Sequence, residues 1–83
     1  MEHTVVVALE LVKLNKSVDL EVNLDITANQ LAVAINAAYD LGVDTSNIRN
    51  CYLKAENPIS LLKGNKTLRE FGVRNGTIIR VTM

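Results

Sequence analysis

The feature that most constrains this chain is a change of hydrophobic period just after Leu24. Before that point, two runs alternate apolar residues with a period of two, over about 4–12 and 18–24. This period is typical of β-strands with one face in a core. The stretch between them, 13–17, is short and polar, so we predict a hairpin. The residues expected to face the core are Val5, Val7, Leu9, Leu11, Val18, Leu20, Val22 and Leu24.

The next segment has the spacing of a helix. Thr27 and Gln30 match a capping box, in which the two side chains satisfy two otherwise unpaired backbone N–H groups. Ile26 and Leu31 flank the cap as a hydrophobic staple. We predict a helix over 28–41, ended by Gly42 in the left-handed conformation. Its core side, at spacings of three and four, is expected to carry Leu31, Ala34, Ile35, Ala38 and Leu41.

Shorter elements follow the helix. We predict a strand over 48–54, a break at Asn57-Pro58 because proline cannot donate to a ladder, and a short segment over 59–62. Thr67 can cap a single helical turn closed by Gly72, and a tight turn at 75–76 precedes a last strand over 77–82, with Ile79 and Val81 facing the core. The order is β-β-α-β-β-(short helix)-β. It predicts an α+β fold of the β-grasp type, a mixed sheet of four to five strands with one helix packed across it, in a single domain 1–83.

Composition excludes several classes of function. Nine Lys and Arg residues balance nine Asp and Glu residues, so no strong field attracts nucleic acid. The longest apolar runs are about five residues, against the roughly 20 that a membrane span needs. A single cysteine fits a reducing compartment, and residues 1–4 do not have the pattern of a signal peptide. We therefore expect a cytoplasmic protein that neither binds nucleic acid nor inserts into membranes.

No catalytic, cofactor-binding or metal site is expected. His3 is the single histidine and lies near the chain start, and Cys51 is at no informative spacing from it. Asp40 and Asp44 lack a third partner, so we interpret them as solvated charges. The stretch 64–67, Gly-Asn-Lys-Thr, lacks the glycine and the adjacent Gly-Lys of a phosphate loop, and we interpret it as a turn followed by a helix cap.

With catalytic, cofactor and metal sites not expected, the remaining candidate sites are surfaces that could bind other proteins. If the odd-numbered residues of the first strand face the helix, the even-numbered ones face away from it. The candidate protein-binding surface on that open face comprises Val6, Ala8, Ile78 and Arg80. The alternative is that these β-branched residues serve strand propensity alone. A weaker candidate is the outer side of the helix, with Val33 and Ala37.

Two blocks carry a resemblance to ubiquitin. The first comprises 17–22 with Thr27, Leu31 and Ile35, and the second is 67–81. The stretches 52–57 and 63–68, with Gly72-Val73 and Asn75-Gly76, are similar to the YukD/EsaB-like family of small bacterial ubiquitin-like proteins. That resemblance implies a cytoplasmic, non-enzymatic protein with an accessory or regulatory role in a Gram-positive type VII (WXG-protein, ESX-like) secretion system. Its partners would then be components of the secretion machinery.

Conjugation is the main alternative activity of such folds. Ubiquitin-type modifiers and sulfur carriers act through a carboxyl-terminal diglycine, and no glycine follows Gly76 here. We therefore expect no conjugation. Two other functions stay open: a generic β-grasp interaction module of another complex, and a modifier or sulfur carrier with a truncated tail. Self-association is also left open.

Overall fold

The computed structural model describes residues 3–42 and 52–82. This part of the chain forms one sheet and one α-helix: β1 (Thr4–Leu11), β2 (Lys16–Asn23), α1 (Ala28–Tyr39), β3 (Leu53–Glu56), β4 (Ser60–Leu62) and β5 (Ile78–Val81). The strand order is β2-β1-β5-β3-β4. The central pair, β1 and β5, is parallel, and the other neighbours are antiparallel. With α1 packed on one face of this mixed sheet, the predicted β-grasp fold is confirmed.

The core lies between α1 and the sheet, where the alternation of the strands predicted it. Leu9 and Ile79 are register neighbours on the two central strands, and both side chains are fully buried. Leu31 and Ile35 of α1 belong to the same apolar cluster. Around them pack the other buried strand residues, namely Val7, Leu11, Val22, Leu53, Ala55, Leu62 and Val81. The predicted inward residues of β1 and β5 are therefore confirmed, with Val5 half-buried at the margin.

The start of α1 has the predicted capping box. The Gln30 backbone N–H donates to Thr27 Oγ1 over 3.1 Å, and the Thr27 N–H donates to Gln30 Oε1 over 2.8 Å. Two further amides of the first turn donate to carbonyls of the 64–66 loop: Ala28 to Lys66 and Asn29 to Gly64, each over 3.0 Å. These four bonds occupy the donors that a helix start otherwise leaves unpaired.

The end of α1 differs from the prediction. The helix ends at Tyr39, and Asp40 takes the left-handed conformation with φ 50°. The N–H groups of Asp40 and Leu41 both point to the carbonyl of Asn36. Short polar side chains tolerate this conformation, so Asp40 ends the helix before Gly42, although Gly42 also has a positive φ of 71°.

The predicted core side of α1 is wrong for two alanines. Ala34 and Ala38 are exposed, whereas Ala28 and Ala32 are buried beside Leu31 and Ile35. At 100° per residue, positions 34 and 38 lie on one flank of the buried stripe. Alanine fits either place, so the spacing alone did not show which alanines the helix would bury.

Several strand boundaries also shift. β1 stops at Leu11, and Val12–Leu14 forms a 3-10 turn that ends at Asn15 in the left-handed conformation, so β2 begins at Lys16. β3 extends to Glu56; residues 48–51 of the predicted third strand lie outside the described residues. β4 begins at Ser60 and β5 at Ile78, one residue later than predicted in each case.

The two turns before β5 are confirmed. Thr67 Oγ1 accepts the Glu70 N–H over 3.2 Å, the Phe71 N–H donates to the Thr67 carbonyl, and Gly72 closes the turn with φ 80°. At 75–76, the Thr77 N–H donates to the Arg74 carbonyl over 3.0 Å, and Gly76 has φ 89°. A positive φ at the third position of a β-turn favours glycine, which explains the Asn-Gly pair.

Candidate protein-binding surfaces

The face of the sheet opposite α1 carries the four residues that sequence reasoning chose, and we call Val6, Ala8, Ile78 and Arg80 the open face. Ala8 and Ile78 are register neighbours on β1 and β5. Their chain neighbours Leu9 and Ile79 point into the core, so alternation directs Ala8 and Ile78 away from it. Val6 is 46% exposed, while Ala8 and Ile78 are half-buried. The structure therefore brings these apolar side chains together on one surface.

Arg80 lies on the open face between two carboxylates. Its Nε donates to Glu10 Oε2 over 3.1 Å, and its Nη1 donates to Glu56 Oε1. Glu10 comes from β1 and Glu56 from β3, the strands on either side of β5. The hydrogen bond to Glu10 and the charge of Glu56 raise the pKa of Arg80 above its already high value. Arg80 is thus a positioned cation whose charge is balanced locally, next to Ile78.

Sequence reasoning missed two apolar residues at the border of this face. Ile59 is 90% exposed and Leu61 is 44% exposed. With Ile78 and Arg80 they line a shallow depression of about 670 Å³. Alternation could have placed Leu61, because its neighbour Leu62 pairs with the core residue Leu53. Ile59 lies in the turn before β4, where no periodicity applies.

Asn75 holds the Val6 end of the open face. Its Oδ1 accepts the Val6 N–H over 2.8 Å, and the Gly76 N–H donates to the Val6 carbonyl over 3.0 Å. Together with the Ala8 N–H, which donates to the Thr77 carbonyl, these bonds continue the pairing of β1 with the residues that precede β5. The Asn75 side chain thus accepts a hydrogen bond that a backbone carbonyl of a neighbouring strand would otherwise accept.

We expect Asn75→Ala to lower the free energy of unfolding by about 0.5–1.5 kcal/mol, because the Val6 N–H loses its acceptor. Asn75→Asp keeps an acceptor oxygen of the same reach and should cost less. Urea denaturation of both variants at neutral pH checks this expectation. Equal losses for the two variants would show that the bond to Val6 contributes nothing.

The outer side of α1, represented by Val33 and Ala37, is the second predicted surface. Val33 is 43% exposed, and Ala37 is exposed. α1 carries no charged residue along its length, so no charged side chain of the helix borders this face. Neither residue lines the depression beside Ile78, so they form a surface separate from the open face.

Of the residues considered for chemistry, His3 lies beside a carboxylate that an arginine also contacts. His3 Nδ1 lies 3.5 Å from Asp25 Oδ2, and Arg69 Nε lies 3.0 Å from Asp25 Oδ1. The hydrogen bond from Arg69 lowers the pKa of the Asp25 carboxyl. Among residues 3–42 and 52–82, no group of three or more His, Cys, Asp or Glu side chains could hold a metal ion. Cys51 and Asp44 lie outside the described residues.

The Gly-Asn-Lys-Thr stretch is confirmed as a turn followed by a cap. Gly64 has φ 83°, its N–H donates to Asn29 Oδ1 over 3.1 Å, and its carbonyl accepts the Asn29 N–H. Because the first amides of α1 already bond to this loop, they are not open to a phosphate group.

A family model decides where this chain belongs. The model for YukD, described as a protein of the WXG100 protein secretion system, matches residues 5–81. The chain belongs to the YukD family. It is therefore a ubiquitin-like protein associated with WXG100 (type VII) secretion, as the resemblance in its sequence implied. No curated protein matches the YukD-family chain at a significant level.

Solved structures similar to this YukD-family protein share its fold. A designed protein based on ubiquitin has a TM-score of 0.69 at 13% identity, covering 99% of this chain and 90% of that one. The carboxyl-terminal ubiquitin-like domain of mouse tubulin-specific chaperone e has a TM-score of 0.70 at 14% identity, over 95% and 84% of the two chains. A ubiquitin-like domain from Arabidopsis thaliana has a TM-score of 0.68 at 18% identity, over 99% and 79%. At these identities the likeness shows the β-grasp fold alone.

α1 is 12 residues long. Within residues 3–42 and 52–82, no helix has both the length and the apolar character that crossing a bilayer requires.

Proposed function

We propose that this YukD-family protein is a non-enzymatic, cytoplasmic accessory or regulatory component that binds other proteins of the type VII secretion machinery without being conjugated to them. The observation that carries the proposal is the open face. Val6 and Ile78 present apolar surface there, beside an arginine already held by two carboxylates.

The chemistry of the open face suits protein recognition. Apolar residues surrounded by polar ones are typical of interface centres, and arginine is enriched at interfaces. Glu10 and Glu56 hold Arg80 in place, which reduces the conformational entropy lost when a partner binds. The depression beside Ile59 and Leu61 extends the apolar area toward β4. A partner that inserts an aliphatic side chain beside Ile78 would bury the centre and leave the ionic group at the rim.

Two recoveries from the native host test this function. A tagged full chain, cross-linked in cells and captured, should enrich components of the WXG100 secretion machinery encoded near its gene. Enrichment of one unrelated complex instead would favour the generic interaction module. Intact-mass analysis of chain recovered separately, without cross-linker, should give the unmodified mass, whereas a covalent protein or sulfur adduct would contradict the proposal that it acts without conjugation.

A further inference from the structure

The flank of α1 next to β2 forms an apolar groove, and we call it the edge groove. It has a volume of about 240 Å³, with Leu20 and Ile26 on the sheet side and Ala34 and Ala38 on the helix side. Leu20 and Ile26 are half-buried, and both alanines are exposed. The small alanine side chains leave room that larger residues at the same positions would fill.

The groove runs beside a strand edge. β2 is the outermost strand of the sheet, so in the described part of the chain no strand pairs with its outer side. The direction of its backbone groups follows from two observations. The Leu24 N–H donates to the His3 carbonyl, whereas the Val6 and Ala8 N–H groups point to the opposite side of β1.

In an antiparallel pair, the backbone groups of successive residues point alternately toward the partner strand and away from it, which gives the direction of every other N–H and C=O group of β2. The even-numbered residues of β2 bond to β1, and the N–H and C=O groups of Ser17, Asp19 and Glu21 point outward. An exposed row of this kind can accept another strand. An added strand would place every second side chain over the edge groove and the others on the open side of the sheet.

The charges along this edge determine which side chains an added strand would need. Asp19 and Glu21 are exposed on the open side of β2, opposite Ala8 and Val6 on β1. Among the described residues, neither carboxylate forms a salt bridge within 4.0 Å. A strand with Lys or Arg on this side would pair with both carboxylates, whereas an acidic strand would be repelled.

From these contacts we propose that β2 and the edge groove bind an extended segment of another protein, in which aliphatic residues alternate with Lys or Arg. The aliphatic side chains enter the groove against Leu20, Ala34 and Ala38. The basic side chains lie over Asp19 and Glu21, and the backbone extends the sheet by one strand. The edge groove lies on the helix side of the sheet, away from the open face, whereas Asp19 and Glu21 border the open face opposite Ala8 and Val6.

The test uses the full chain and two synthetic peptides, in which Val or Ile alternates with Lys in one and with Glu in the other. Titration followed by amide NMR should show the largest shifts in β2, at 17, 19 and 21, and in α1, at 34 and 38. The lysine peptide should bind about tenfold more tightly than the glutamate peptide at low salt, since each cross-strand charge pair contributes a fraction of a kcal/mol. This preference should shrink as salt is added.

A matched pair of helix variants locates the site. Ala34→Phe fills the edge groove and should weaken the lysine peptide at least about tenfold, the loss of one well-packed aliphatic contact. Ala37→Phe adds the same ring on the outer side of α1 and should leave binding unchanged. Exchanging Asp19 and Glu21 for Lys should reverse the preference between the peptides.

Three results would overturn this proposal. The first is equal binding of the two peptides, and the second is a set of amide shifts confined to the open face or to positions 33 and 37. The third is a set of β2 amide shifts that grow with protein concentration when no peptide is present. The last would make a second copy of this chain the occupant. A failure of this test would leave the open-face proposal intact, because binding at the open face would shift the amide signals of other residues, on β1 and β5.

Discussion

Replacing Ile35 with alanine is expected to lower the free energy of unfolding by about 2–5 kcal/mol, the usual cost of such a change in a packed core. Ile35 is 2% exposed and belongs to the cluster that joins α1 to the central strands. A domain of this size has only about 5–15 kcal/mol of total stability. The melting temperature should therefore fall by at least about 10 °C, and much of the variant could be unfolded at growth temperature.

Val33→Ala is the matched control, because it removes a similar aliphatic volume from the same helix at an exposed position. Its effect should stay within about 0.5 kcal/mol. Chemical denaturation of both variants, followed by circular dichroism, makes the comparison. A loss below about 0.5 kcal/mol for Ile35→Ala would mean that α1 does not pack on the sheet in this register.

The second large effect concerns binding. Exchanging Val6 and Ile78 together for Asp should leave the protein folded but weaken its association with the secretion machinery at least about 30-fold, the loss of a typical interface hot spot. A carboxylate forced into an apolar contact must lose its water without gaining a partner. Each change should cost about 1 kcal/mol or less in stability, the span of strand propensities.

Part of that stability cost has an identifiable source. Val6 lies opposite Glu21 and Ile78 opposite Glu56, so each new aspartate would meet a like charge. Val6→Thr with Ile78→Thr keeps the branched shape without charge and serves as the control. Val33→Asp tests the outer side of α1 in the same capture assay. If the Asp pair melts normally and retains its partners while Val33→Asp loses them, the helix face is the recognition surface.

Much of the fold could be predicted because its signals are local. A period of two fixes which side of a strand is buried, and Val7, Leu9 and Ile79 follow it. The Thr27–Gln30 capping box depends on four consecutive residues, so its geometry could be read from spacing alone. The placement of the open face followed from the same alternation.

The features that could not be predicted depend on contacts distant in sequence. The bonds of Arg80 to Glu10 and Glu56 require β5 to lie between β1 and β3, an order that the sequence does not state. The exposure of Ala34 and Ala38 depends on how α1 is rotated on the sheet, and alanine gives too weak a signal to fix that rotation. The edge groove was therefore visible only in the folded protein.

The measurement that tests the central claim most directly is photo-cross-linking in the native host. A photo-reactive amino acid at position 61, at the border of the open face, is compared with the same group at position 33 on the helix. Leu61 and Val33 are 44% and 43% exposed, so the two probes are equally accessible. We predict covalent products with components of the type VII secretion machinery from position 61 and few or none from position 33. Products from position 33 alone, or products at position 61 that contain only unrelated proteins, would contradict the account.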